Sequence, residues 1–438
     1  MVSDDSDSFP ALRNMGPPSP TVPVYPTATS DNNEEVGPRT FAQMMVLGVS
    51  YYVAAHIGLV FAIPPGNATA VWPASGIALA GLLLYGQRIW PGIWLAAFLV
   101  NTSTNVSSLT GMLFATGNTL EAVLAAWACR RFAEDRQPVS SIGGAFLLLL
   151  TGIVSCSVAA TIGTFSLAYG EYIGFERFLE TWSTWWLGDL TGIMVVTPFV
   201  LTLRQPIALP DRSMRSVEQI TSLIILALIS HAIFGGWLPE NVAEGLLYLP
   251  LIVLFWMILR LDTRLACLGS LMMAAIAVIG TSSNVGPFFT ESSEQSLFDL
   301  QIFLNVYAFT GLALAGIVNS ERSSEQHSRQ LVERLHITRS RLKIARTIQS
   351  QLLPESPLNG HGYECAGGCT PAEETGGDYF DFIEEDNGSI VLVVGDVCGH
   401  GVGAAMLISE TRAYLRAVLS SQPDLSDATQ SVNAFLQH

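Results

Sequence analysis

Near the end of the chain, two aspartates each follow glycine and border a strand-like run. This is the pattern best suited to chemistry. Gly376-Gly377-Asp378-Tyr379-Phe380-Asp381 comes first, and the apolar run Ile390-Val391-Leu392-Val393-Val394 then leads into Gly395-Asp396-Val397-Cys398-Gly399-His400-Gly401. Gly377 to Glu384 alternates as a strand, with Asp378, Phe380 and Phe382 on one face and Tyr379, Asp381 and Ile383 on the other. Asn387-Gly388 is a two-residue hairpin signal. A turn there brings Asp378 and Asp396 toward one another at the sheet's end, with the register left open. Two close carboxylates repel unless a cation neutralises them, and all-oxygen ligation suits Mg²⁺ or Mn²⁺. Such an ion polarises phosphate and makes a bound water nucleophilic. Gly395, Gly399, Gly401 and Gly403 allow close backbone approach, and a helix expected from about Val402 to Ser420 offers its N-terminus to an anion. Alone, two Gly-Asp pairs also suit plain acidic turns after strands, and His400 suits either a turn or a general acid.

The elements that must position these residues follow from the flanking sequence. Tyr363 to Cys369 can form a short strand, and Ser389 to Val394 is apolar enough to be buried on both faces of a sheet. A last helix contains Val432, Phe435 and Leu436. Upstream, residues 321–351 are polar and helical in pattern, and Pro354 disfavours continuing that helix. Leu335 and Leu342 lie seven apart, as do Ile337 and Ile344. That spacing suits a parallel coiled coil joining two copies of the chain, or a single amphipathic helix packed on the next domain.

Composition sets the frame for the rest. Only 13% of the 438 residues are charged, against roughly 25% in soluble domains, which points to a polytopic membrane protein. The net charge of −16 is concentrated in the terminal regions, and no basic stripe with interleaved aromatics supports nucleic-acid binding. The six cysteines form no secreted disulfide pattern. Cys365 and Cys369 lack a second pair or a histidine cluster and read as free thiols of a reducing cytoplasm. Residues 1–40 form an acidic, Ser/Pro-rich tail expected to be disordered.

Residues 41–320 divide into about ten spans, near 41–62, 69–86, 90–103, 109–129, 142–166, 183–203, 218–236, 246–259, 265–283 and 298–318. Arg88, Arg130, Arg131, Arg136, Arg204, Arg212, Arg215, Arg260 and Arg264 fall in alternate loops, which places those loops and both chain termini in the cytoplasm. His56, Asn101, Asn118, Glu121, Asp189, His231 and Asn305 lie at membrane depth. A carboxylate there costs roughly 3 kcal/mol or more unless paired or hydrated. Glu121 and Asp189 therefore suggest a buried polar pocket, although hydrogen bonds that only hold the bundle together are equally consistent. A transporter using these two carboxylates is a weaker reading, given the enzyme-like stretch downstream.

Two resemblances sharpen these expectations. Trp72-Pro73-Ala74-Ser75-Gly76-Ile77-Ala78, Leu84-Tyr85-Gly86 to Trp90-Pro91-Gly92, Asn101, Gly117-Asn118-Thr119-Leu120-Glu121 and Trp186-Leu187-Gly188-Asp189 resemble the bacterial membrane-associated sensor domain called MASE, first type, over roughly residues 43 to 320. This implies a sensory module in the bacterial inner membrane, in contact with membrane lipid, and joined to a signalling enzyme. Trp72, Asn101, Asn118, Glu121 and Asp189 are then its sensor-pocket candidates. Ala345 to Pro354, Thr370 to Asp381 and Val394 to Gly401 resemble the start of a SpoIIE-type serine phosphatase domain, of the metal-dependent PPM class.

The second resemblance implies an α-β-β-α sandwich that removes phosphate from phosphoserine or phosphothreonine on a regulator protein. It also implies that Asp396 bridges two Mn²⁺ or Mg²⁺ ions, that the Val397 carbonyl is a ligand, and that Asp378 serves the second ion. Cys398 departs from the expected serine or alanine. The family's later metal-binding aspartates have no counterpart in this chain, so residues 352–438 are expected to be the N-terminal portion of a truncated domain. A membrane receptor carrying an inactive remnant is the alternative expectation.

Overall fold

The computed structural model describes residues 37–62, 69–104, 106–133, 141–204, 214–360, 362–371, 373–385, 388–421 and 424–437. Residues 1–36 of the expected tail, together with Arg136, Arg212 and Asn387, lie outside them. The chain divides into two units, Met1–Arg322 and Ser323–His438.

Among the described residues, the regular structure of the first unit is all helical. Its helices are α1 (Pro38–Val60), α2 (Pro73–Tyr85), α3 (Trp90–Thr102), α4 (Ser108–Phe132), α5 (Ile142–Tyr169), α6 (Phe178–Thr202), α7 (Met214–Phe234), α8 (Glu240–Gly245), α9 (Leu249–Arg260), α10 (Thr263–Ser282) and the first part of α11 (Ser293–Ser350). Local chemistry sets many boundaries. Pro38, Pro73, Pro91 and Pro250 sit in the first turns of their helices, where a missing N–H costs nothing. Ser107, Ser141 and Asp262 cap α4, α5 and α10 through their side chains. Because of Pro38, the first helix begins ahead of the expected boundary at Phe41.

Each of the ten expected spans carries a helix, and among the described residues eight helical stretches are long and apolar enough to cross a membrane. The other two, α2 and α3, have 13 residues each. That is about 20 Å of helix, against a hydrocarbon core of about 30 Å. The shortness of α2 has a packing counterpart. From Ala74 to Leu84 nearly every position is buried, as expected of a helix enclosed by other helices. It begins inside the bundle, where the Trp72 N–H donates to the Gly188 carbonyl at 3.0 Å, well within α6. A Cβ on Gly192 would lie 2.0 Å from the Trp72 carbonyl oxygen, and one on Gly76 would lie 2.3 Å from the Gly192 carbonyl. Backbone meets backbone here because neither glycine carries a side chain.

The non-helical approach to α2 is satisfied from outside its own segment. Gln301 of α11 donates from Nε2 to the carbonyls of Thr69 (3.2 Å) and Thr184 (3.0 Å). Irregular backbone at membrane depth persists only where protein supplies such partners. At the other end of α2, the Arg130 guanidinium donates to the Leu82 carbonyl, and Arg204 lies 4.9 Å from the Tyr85 ring. Arg322 donates similarly to the end of α9, to the Leu259 carbonyl at 2.6 Å.

In the second unit α11 continues unbroken to Ser350. Leu335, Ile337 and Ile344 are exposed on it. Strands β1 (Leu358–Gly360) and β2 (Tyr363–Cys365) pair antiparallel, as do β3 (Asp378–Glu384) and β4 (Ile390–Asp396). Helices α12 (Val402–Ser421) and α13 (Leu425–Leu436) follow, held together by Tyr414 stacked on Phe435 at 4.3 Å.

Two expectations need correction here. The β3–β4 connection is longer than a two-residue turn: the last pair is Glu384 with Ile390, and the Glu385 N–H donates to the Ser389 carbonyl at 2.9 Å. Gly388, at φ +85°, takes the left-handed position that closes such a loop. Nor is β4 buried on both faces. Leu392 is 60% and Val394 89% exposed, because among the described residues α12 covers only the Tyr379–Asp381 face.

Candidate metal site and buried acidic cluster

The register places Asp378 directly opposite Asp396. The Val397 N–H donates to the Gly377 carbonyl at 2.9 Å, so the aspartates form the adjacent, non-hydrogen-bonded pair. At such a pair Cα atoms are about 4.5 Å apart and the side chains leave the same face. Both aspartates are exposed. Gly377 is required here: a Cβ on it would lie 2.4 Å from the Val397 carbonyl oxygen and 3.1 Å from that of Gly399. The sheet end thus gathers two carboxylates, with carbonyl oxygens beside Gly377. That donor set fits one hard cation that keeps much of its water. Among the described residues no three or more His, Cys, Asp or Glu side chains form a metal-holding group. His400 sits in a turn between Gly399 (φ +109°) and Gly401 (φ +82°), its Nδ1 3.1 Å from Glu373.

The loop before Asp378 is held by the end of α11. Gln349 donates from Nε2 to the Gly376 carbonyl at 2.7 Å and accepts from the Gly376 N–H at Oε1, 3.1 Å away. Arg346 adds a looser ion pair with Glu374 at 3.6 Å.

On the opposite face of β3, Asp381 is fully buried and latches α12 to the sheet. Arg416 grips it through two nitrogens at 2.7 and 2.6 Å, the Tyr379 hydroxyl donates at 2.8 Å, and Arg412 lies 3.4 Å away. Burial pushes the Asp381 carboxyl up, but Arg416, Tyr379 and Arg412 together hold it below the usual carboxylate range. Burial and the Asp381 charge raise the Tyr379 phenol. Burial and the charge of Asp378 likewise raise the Cys369 thiol, which keeps it protonated. This role of Asp381 was not read from the sequence, although its place in the alternation beside Tyr379 was legible.

Within the bundle, the structure brings Asn118, Glu121, Asp189 and Trp72 together, whereas His231 packs against Trp237 instead. Glu121 and Asp189 are each 1% exposed. Ser75 donates to Asp189 Oδ1 at 2.9 Å, and Asn118 Nδ2 donates to the Tyr51 hydroxyl at 3.1 Å. Glu121 lies beside Asp189, Ser75 and Cys156, and Trp72 lies beside Tyr51. Neither oxygen of Glu121 has a hydrogen-bond partner, nor does Asp189 Oδ2 or Asn118 Oδ1. Asn101 is used elsewhere, donating to the Ala97 carbonyl of its own helix at 2.8 Å. Asn305 donates to Thr191 and Gln301, and His56 bonds locally to the Tyr52 carbonyl. Tyr51, Ser75, Cys156 and Gln301 were missed, because hydroxyl, thiol and amide groups are cheap enough in a span to pass as helix packing.

Comparison with known proteins agrees with both halves. The MASE1 family model matches residues 43–323, and the model for stage II sporulation protein E (SpoIIE) matches residues 386–438. Asp396 and Val397 fall inside the second match, whereas Asp378 precedes it. Protein IcfG of a Synechocystis species is 34% identical over 80 residues, which cover 18% of this chain and 13% of that protein's length. No solved structure matches the chain.

Proposed function

The chain belongs to the MASE1 family, and from that membership we propose that its bundle is a sensor controlling a metal-dependent serine/threonine phosphatase domain. Residues 352–438 are its N-terminal portion, part of a PPM-type sandwich whose second sheet packs on the uncovered Leu392–Val394 face. The observation that carries this reading is the direct opposition of Asp378 and Asp396 on one exposed face. Mn²⁺ or Mg²⁺ bound there would polarise the phosphate and activate a water. Asp378, Asp396 and the Val397 carbonyl would hold the metal, and Gly377 leaves room for that carbonyl. The substrate is a phosphoserine or phosphothreonine on a regulator protein.

Control reaches the site through α11, whose Gln349 holds the residue two places before Asp378. Exposed Leu335, Ile337 and Ile344 suit pairing with the same helix of a second copy. The Arg-rich helix ends around Arg130, Arg204 and Arg322 support a cytoplasmic placement of that side in a bacterial inner membrane, with both termini inside.

The test is Mn²⁺ binding by the purified chain, together with Mn²⁺-dependent release of phosphate from a phosphoserine protein by a version of it carrying a complete PPM-type domain. The expected result is turnover that chelation and Asp396→Asn each abolish. Turnover indifferent to both would sink the proposal. The absence of a three-ligand group among the described residues favours one rival, a receptor with a non-catalytic remnant. Mn²⁺ binding without turnover would select that rival.

A further inference from the structure

The polar atoms left without partners around Glu121 share one property: all are oxygens that only accept. They are Glu121 Oε1 and Oε2, Asp189 Oδ2 and Asn118 Oδ1. Asn118 has already used its amide nitrogen on Tyr51, and Ser75 has turned its hydroxyl onto the other oxygen of Asp189. The remaining titratable neighbours are Cys156 on α5 and Tyr51 on α1, with the Trp185 indole on α6. Among the described residues, neither carboxylate has an ion-pair partner. Two carboxylates side by side at 1% exposure repel each other and have lost their water, at a cost of several kcal/mol per ion, about what only a compensating positive charge offsets. The N-terminus of α2 contributes only about half a positive charge beside the pair, which leaves two carboxylates undercompensated.

We propose that Glu121 and Asp189 form an intramembrane cation site that takes a single small positive charge, a proton or an alkali ion stripped of water. The occupant is small because α2 and α6 are already in backbone contact beside the site, at Gly76 and Gly192. Glu121 and Asp189 supply the charge, and Asn118 Oδ1 adds a neutral oxygen. The site joins α2, α4 and α6, so filling or emptying it changes the repulsion between α4 and α6 directly. As a signal input the site rests on the sensor reading given above. Its occupancy is measured without phosphatase turnover, so either reading can fail alone.

The experiment is infrared difference spectroscopy of the full chain in nanodiscs at neutral pH, exchanging N-methylglucamine for Na⁺ at constant ionic strength and then titrating pH. A protonated-carboxyl band that ignores Na⁺ and disappears in Glu121→Gln or Asp189→Asn identifies the proton as occupant. A band, or a carboxylate signal, that shifts saturably with Na⁺ and loses that response in either variant identifies the alkali ion. A parent chain with neither a protonated-carboxyl band nor a Na⁺ response overturns the proposal, and needs no variant to fold. A response that survives in both variants overturns it as well.

Discussion

Replacing Arg416 with alanine tests whether the Asp381 latch is what fastens α12 to the β3–β4 sheet. Asp381 is 0% exposed at its side chain, while that of Arg416 is 41% exposed. Breaking a fully buried pair costs about 3–5 kcal/mol. Here the guanidinium is partly solvated, and Asp381 keeps the Tyr379 hydroxyl and the Phe382 N–H as donors. The expected loss is therefore smaller, about 2 kcal/mol, or roughly 30-fold in the local opening equilibrium. Hydrogen exchange of the α12 amides in the full chain reads this opening. Arg416→Lys should fall between parent and alanine, because it restores charge without the two-pronged geometry. A double-mutant cycle with Asp381→Asn separates the pair from the packing of the arginine stem. An increase in α12 exchange below about twofold would refute the latch, since that is the ordinary effect of a surface substitution.

Four further outcomes are expected. Because the folded-state Asp381 carboxyl is held low, its contribution is complete above the unfolded value of about 3.9 and is lost as pH falls through the lower folded value. The difference in α12 protection between parent and Asp381→Asn should accordingly be constant near neutrality and shrink only under acid. Gly192→Ala puts a Cβ 2.0 Å from the Trp72 carbonyl, which costs at least about 3 kcal/mol, read as a lower midpoint in thermal unfolding of the bundle. Gln349→Ala should raise amide exchange at Gly376 and weaken Mn²⁺ binding while leaving α12 exchange unchanged; unaltered Mn²⁺ affinity would remove Gln349 from the site. Asp378→Asn and Asp396→Asn should each lower Mn²⁺ affinity without unfolding the sheet, because both side chains are exposed.

What the sequence made legible was the part carried by repeating patterns. Runs of apolar residues located ten helices, alternation assigned Asp378 and Asp381 to opposite faces of β3, and proline marked where α11 stops. The register was not legible, because a β-pair can slide until the turn is known, and the loop proved longer than Asn387-Gly388 suggested. Burial of β4 was misjudged for a related reason: an apolar run states what a strand tolerates, whereas the neighbours decide what covers it. In the bundle, charge cost exposed Glu121 and Asp189 at once. Gln301 and Ser75 stayed hidden, since their roles depend on a helix that starts inside the protein. Asn101 shared the membrane depth of the cluster but spends its amide on its own helix.

On the proposed sensor reading, the paired bonds between Gln349 and Gly376 set the kind of message α11 would deliver. A primary amide that gives to a carbonyl and takes from an N–H copies a rung of backbone, and its neighbours cannot take its place. Turning the helix by one residue, about 100°, would present Ile348 or Ser350 instead. Isoleucine offers no such group, and the short serine hydroxyl cannot span both ends of the rung. The contact is thus either complete or gone, so a graded twist arriving along the helix would be passed to the loop before Asp378 as a yes or a no.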